Sequence, residues 1–198
     1  MSLSEVIALA ASVSLLAGWR LYLCLFVTGL AMRLDWIDLP DKLDALAVLA
    51  NPWVMGAAGL AALAELLVDK VAWIDSLWDG VHAFIRPAGG ALLALAIVDA
   101  GDPAWQAVAL LLGGGGALLS HGAKSGTRAL VNASPEPVSN VVVSGIEDLT
   151  TAGLLWLAYA HPYAAAGIAL GLLALAIGLL LLARKVVRSL FRPKAPPA

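Results

Sequence analysis

The residues able to do chemistry in this chain recur at helical spacing. Asp75, Asp79, His82 and Arg86 stand at i, i+4, i+7 and i+11, so a helix would carry them as one stripe. Ala117, His121, Lys124 and Arg128 repeat that spacing, as do Asn140, Ser144, Glu147 and Thr151. Glu65 and Asp69 form a further i, i+4 pair, with Lys70 beside Asp69 and Asp148 beside Glu147. Several chemistries suit these residue types. Carboxylates at Glu65 and Glu147 can bind protons or cations, and Arg20, Lys124 and Arg128 can hold a phosphate or carboxylate. His82 and His121 can pass protons. Asp75, Asp79 and His82 are the residues whose types would suit a divalent metal.

These groups have to be positioned by very apolar elements. The chain has 198 residues, 61 % of them apolar and 13 % charged, and a mean hydropathy of +0.89. A soluble domain has about 45–50 % apolar and about 25 % charged residues. The composition therefore points to a single all-α, polytopic membrane domain over residues 1–198. A spanning helix needs ~20 residues, and six would use ~120. The expected spans run from about Val6 to Met32, Pro52 to Val68, Val81 to Val98, Trp105 to Ala123, Val141 to Ala160 and Tyr163 to Ala183. A basic tail follows from about residue 184. The first apolar run lacks a basic flank and is read as a retained helix.

Six spans place both termini on one side. Nine basic residues fall on that side and two on the other. The positive-inside rule then puts both termini in the cytoplasm, in a cell (inner) membrane. Trp36, Trp53 and Trp105 lie near one expected interface, Trp73 and Trp78 near the other. A formal net charge of −2 gives no basic field for nucleic acid, and the single Cys24 excludes an intrachain disulfide. No cofactor signature is present, and the expected surroundings are lipid, a small charged solute and a second copy of the chain. The turn at Asp99–Pro103 divides the spans three and three, a topology open to an inverted repeat.

Charged residues within spans cost about 2.5–3.5 kcal/mol each on insertion scales and usually face a cavity or a partner. Two readings fit. The stripes are either helix ends paired for stability, or the lining of a polar cavity open to the cytoplasm. Glycine and proline sites adjoin each stripe: Gly18 before Arg20, Pro87–Gly90 after Arg86, Gly113–Gly116 before His121. They fit broken helices around a cavity, or close helix packing. Gly167 and Gly171 form a GxxxG pair. Asn132, Ser134, Ser139 and Asn140, with Pro135 and Pro137 between them, fit a polar loop over the cavity mouth or a capped turn.

The runs Ala64–Arg86, His121–Arg128, Asn132–Asn140 and Glu147-Asp148 together resemble the domain-of-unknown-function family 4126, from about Gly18 to Pro162. The resemblance implies a small, chiefly bacterial multi-span membrane protein and no particular activity. Ala72 stands where the family leads one to expect proline, which implies a more helical connection there.

Three function classes remain. The first is a small transporter or channel moving a charged solute, with ion or proton coupling. Its candidate ligands are Arg20, Glu65, Asp69, Lys70, Asp75, Asp79, His82, Arg86, His121, Lys124, Arg128, Asn132, Asn140, Glu147 and Asp148. The second is a structural or assembly subunit. The third is a membrane enzyme acting on a lipid head group. Against that third class, the chain has no nucleophile elbow, His-Glu-x-x-His pair or P-loop.

Overall fold

The computed structural model describes residues 1–36, 41–98, 101–132 and 138–190, and these contain helices and no strand. In chain order they are α1 (Leu3–Arg33), a 3-10 helix (Asp41–Ala50), α2 (Pro52–Val68), α3 (Ala72–Val98), α4 (Pro103–Asn132), α5 (Val138–Ala160) and α6 (Pro162–Leu190). Their starts are written in the sequence. Ser2 and Glu5 form a reciprocal capping box on α1. Pro52, Pro103 and Pro162 open three helices, where a missing N–H costs nothing. Asn51 Oδ1 accepts from the Trp53 amide at 2.9 Å, and Asp102 Oδ1 from the Ala104 amide at 2.7 Å. α3 begins at Ala72, nine residues before the expected start, after a short turn over residues 69–71, so the position without the expected proline is the first residue of the helix.

Five helices, α1 and α3 to α6, are each long and apolar enough to cross a membrane. α2 has only 17 residues, the short limit for a span, and is bent 75° from the preceding 3-10 helix. The chain is a multi-pass helical membrane protein. α1 is buried over 72 % of its most apolar stretch, against at most 33 % for the others, so it is the centre of the bundle. This is why it is apolar on every side.

α1 does not run as one rod. Arg20 has φ −143° and ψ 70°, outside the helical region. Before it, Ser4 accepts from the Tyr163 hydroxyl at 2.6 Å. After it, Thr28 hydrogen-bonds the Tyr159 hydroxyl at 2.9 Å. A straight helix would hold Ser4 and Thr28 ~36 Å apart. Yet their partners flank the same α5–α6 turn. Arg20 meanwhile reaches Ser144, ~22 Å up α5 from Tyr159. The two arms therefore fold back on each other, with Arg20 at the tip. Ser4 therefore lies at the end of the bundle where α6 begins, and α6 runs away from it.

The expected breaks at Pro87–Gly90 and Gly113–Gly116 are absent, because α3 and α4 run through both. The glycines serve packing instead. A Cβ on Gly90 would meet Ala117 Cβ, and one on Gly113 would meet Ala94 Cβ. Gly18 approaches the Ala117 carbonyl so closely that no side chain fits. α3 and α4 form the most extensively packed pair of the bundle. Below the charged level, Leu9, Val13, Leu16, Leu93, Ile97 and Leu155 form the apolar core. On α6 the inward face is Ala165, Ala169 and Leu173, while Gly167 and Gly171 have open space beside them.

Gly18→Ala should lower stability by about 1–3 kcal/mol through overpacking. Gly171→Ala should change it by less than ~0.5 kcal/mol. Unfolding followed by tryptophan fluorescence in detergent compares them, and equal values would refute the close α1–α4 approach. In a Cys24→Ala background, Ser2→Cys and Arg188→Cys should label from opposite membrane faces with an impermeant thiol reagent. Labelling from one face would refute the fold-back of α1.

Candidate functional site

The stripes meet in one half of the bundle. The C-terminal ends of α2 and α4, the N-terminal ends of α3 and α5, and the tip of α1 converge there. The i, i+4 spacing on each helix becomes two adjacent layers of charge.

Arg86 centres one layer. It is fully buried and pairs with Glu65 at 2.5 Å and Asp79 at 3.1 Å. Its Nη1 also donates to His121 Nδ1 at 2.7 Å, and His121 Nε2 donates to the Asp79 carbonyl at 3.1 Å. Those two bonds select the Nε2–H tautomer of His121.

Arg20 centres the other layer. It pairs with Asp69, with Glu147 at 3.1 Å and with Asp148 at 3.0 Å, and it donates to the Ser144 hydroxyl at 3.1 Å. Lys124 pairs with Asp69 at 3.3 Å and Glu147 at 3.8 Å. Lys124 also donates to the Trp19 carbonyl beside the break in α1. Arg128 pairs with Asp75 at 3.1 Å and donates to the backbone carbonyls of Asp69 and Asn140. Asn132 Nδ2 donates to Asp75 Oδ2 at 2.8 Å.

Thirteen of the fifteen candidate residues are thus joined in the two layers, Asn140 through its backbone carbonyl. His82 and Lys70 are not. His82 stacks on Trp78 with ring centroids 4.3 Å apart and accepts from the Tyr22 hydroxyl at 3.0 Å. It therefore does not converge with Asp75 and Asp79. Among the described residues no group of three or more His, Cys, Asp or Glu side chains is placed to hold a metal ion. Lys70 donates to the Leu66 carbonyl at 2.7 Å. Tyr22 was not a candidate by sequence. The pairing of Trp78 and His82 at i, i+4 was the available signal for an aromatic box. The loop expected over the cavity mouth falls partly on residues 133–137, outside those described.

Six carboxylates face four cations here, a formal surplus of two negative charges. Glu65, Asp69 and Asp75 each keep one buried oxygen without a protein partner. Glu147 and Asp148 are the least enclosed, 13 % and 22 % exposed.

The sequence pattern described as Domain of unknown function (DUF4126) matches residues 7–181. The chain belongs to that family. No curated protein and no solved structure matches it. The DUF4126 region contains both charged layers and α1 from Ile7 onward, with the break at Arg20.

A groove of about 410 Å³ lies between α3 and α4 of this DUF4126 protein. Its charged and polar lining is Asp75, Ser76, Asp79, His121, Ser125, Arg128 and Asn132, and small residues such as Gly80 and Gly122 leave it open at the side. A second cleft of about 390 Å³ between α1, α3 and α4, lined by residues such as Ile7, Ala94 and Trp105, is apolar apart from Asp102 and holds no charged pair.

Removing one member of a buried pair strands its partner, at a cost of about 3–5 kcal/mol. Arg86→Met should lose that much stability, because Glu65 and Asp79 are left unpaired. The double variant Arg86→Met/Glu65→Leu should be less destabilised than the sum of its single variants. A double-mutant cycle on unfolding in detergent measures the difference, and strict additivity would refute the direct pair.

Proposed function

We propose that the protein is a small transporter that moves a charged solute through the polar half of the bundle. The surplus of two carboxylates in the charged layers carries this reading. A purely structural network needs pairs, and balanced pairs would hold the helices together as well. Unbalanced carboxylates inside a membrane protein instead suit a mobile charge that comes and goes. The groove between α3 and α4, lined by Asp75 and Asp79, leads such a solute to the edge of the charged layers. The break at Arg20 makes α1 a discontinuous helix whose tip lies in the charged layers, and discontinuous helices recur in ion-coupled carriers.

The polar end faces the cytoplasm in this reading. Arg86, Lys124 and Arg128 no longer count as flanking charges, since each is buried in an ion pair. Lys70, Arg184, Lys185 and Arg188 still mark that end, and Arg33 marks the other. The C-terminus is then cytoplasmic and the N-terminus lies on the opposite face. This replaces the expectation of two cytoplasmic termini.

The test is flux in proteoliposomes containing the purified chain, with alkali cations, ammonium, phosphate and small carboxylates offered in turn. The unaltered protein should carry at least one of them down its gradient. Glu65→Gln with Glu147→Gln should slow that flux at least tenfold in protein whose unfolding midpoint shows it folded, since Arg86 keeps Asp79 and Arg20 keeps Asp69 and Asp148. Flux equal to that of protein-free vesicles for every solute would overturn the transport reading, and an undiminished rate in the double variant would overturn the role of these carboxylates.

A further inference from the structure

We infer that the floor of the α3–α4 groove is a binding site for a monovalent cation, held between Asp75 Oδ1 and Asn132 Oδ1. The inference deepens the transport reading and rests on it for its role, though binding can be measured without flux.

Three observations carry it. First, both residues line the groove, and both oxygens are buried without a protein donor. Asp75 itself has no exposed side-chain surface, and its other oxygen is already taken by Arg128 and Asn132. A buried acceptor without a donor is costly, and a cation is the ligand that satisfies two such oxygens at once. Second, the charge around the groove is unbalanced. Arg128 answers Asp75, but Arg86 alone faces both Glu65 and Asp79, which leaves one formal negative charge on this side of the network. Third, every cationic group here is already engaged. Arg128 donates from Nε, Nη1 and Nη2, and His121 gives its one N–H to the Asp79 carbonyl. The groove therefore sets two buried, unmet acceptor oxygens beside cations that are already ion-paired, which favours a positive ligand over an anion.

Hard oxygen donors without a converging set of three acids or histidines suit a single positive charge better than a divalent metal. The groove's 410 Å³ exceeds a bare ion by far, since a water occupies ~30 Å³ in the liquid. Two ligands share the required chemistry: a partly hydrated alkali ion, and the ammonium end of a small organic amine.

The experiment uses the full chain in detergent at constant ionic strength. N-methyl-D-glucamine is replaced stepwise by sodium, potassium, ammonium or ethanolammonium, and the thermal unfolding midpoint is followed. A saturable rise with at least one of the four is expected. Sodium or potassium as the effective ligand assigns an alkali ion, and ethanolammonium assigns an organic amine. Asn132→Ala should raise the half-saturating concentration at least tenfold, and Asp75→Asn should abolish the effect. If Asp75→Asn fails to fold because Arg128 loses its partner, Asn132→Ala decides alone, since no protein donor uses its free oxygen. The inference is overturned by a linear rise common to all four cations, by no rise at all, or by saturation unchanged in Asn132→Ala. Flux of the same cation in proteoliposomes separates the two readings. Saturable binding without flux keeps the site and removes the transport role. Flux with Asn132-independent binding keeps transport and removes this site.

Discussion

A guanidinium cannot stay unpaired inside an apolar bundle, and Arg20 makes that constraint visible. It sits 1 % exposed in the middle of the most buried helix of the protein. Its pairing with Asp69, Glu147 and Asp148 draws together the ends of α1, α2 and α5. Lys124 then ties α4 to the same carboxylates, and Arg86 repeats the arrangement one helical turn away. Apolar packing alone would leave these helices free to slide in lipid, since lipid tails offer them the same environment as each other. The charged layers fix register where greasy surfaces do not. A buried ion pair is weak evidence of net stability, because desolvation offsets most of the attraction. Specificity of assembly is the better account of what the pairs contribute.

The packing of small residues and the pairing of charges depend on one another. Gly18 lets α1 touch the backbone of α4 just before Arg20. Gly90 and Gly113 do the same for α3 and α4 next to Arg86. Without that approach the arginine side chains would need to bridge wider gaps, and lipid or water would enter between the partners. This is why the glycines sit next to the polar stripes in sequence. They mark where helices touch, which is a different role from breaking them.

Much of this was legible in the residues. Composition gave the membrane bundle, the expected starts at Pro52, Trp105 and Tyr163 fall within two residues of the observed ones, and the i, i+4, i+7 spacing gave the charged faces. The stripes had to face one another, because each was too costly to face lipid. Three things were hidden. The fold-back of α1 leaves no signature, since an apolar run of 31 residues reads as one long helix and Arg20 alone does not announce a reversal. His82 and Lys70 share the spacing of their neighbours, yet one turns to Trp78 and Tyr22 and the other to its own backbone. Periodicity assigns a face and does not resolve neighbours a few degrees apart on it. The surplus of carboxylates also needed the structure, because Lys70 counts as a balancing charge until its position is known.

The reversal at Arg20 has a consequence for how the chain is made. Arg20 leaves the ribosome well before Asp69 and long before Glu147 and Asp148, its remaining partners. The first hairpin thus enters the membrane carrying a charge with no counter-ion, a burden of about 2.5–3.5 kcal/mol. Its two arms, of roughly 17 and 13 residues, are short for stable crossings and have little to hold them in place. Arg20 has its full set of partners only once α5 is made, so the last third of synthesis completes the pairing of the first segment, and a chain stalled before Glu147 would leave Arg20 with Asp69 as its only carboxylate partner among these three.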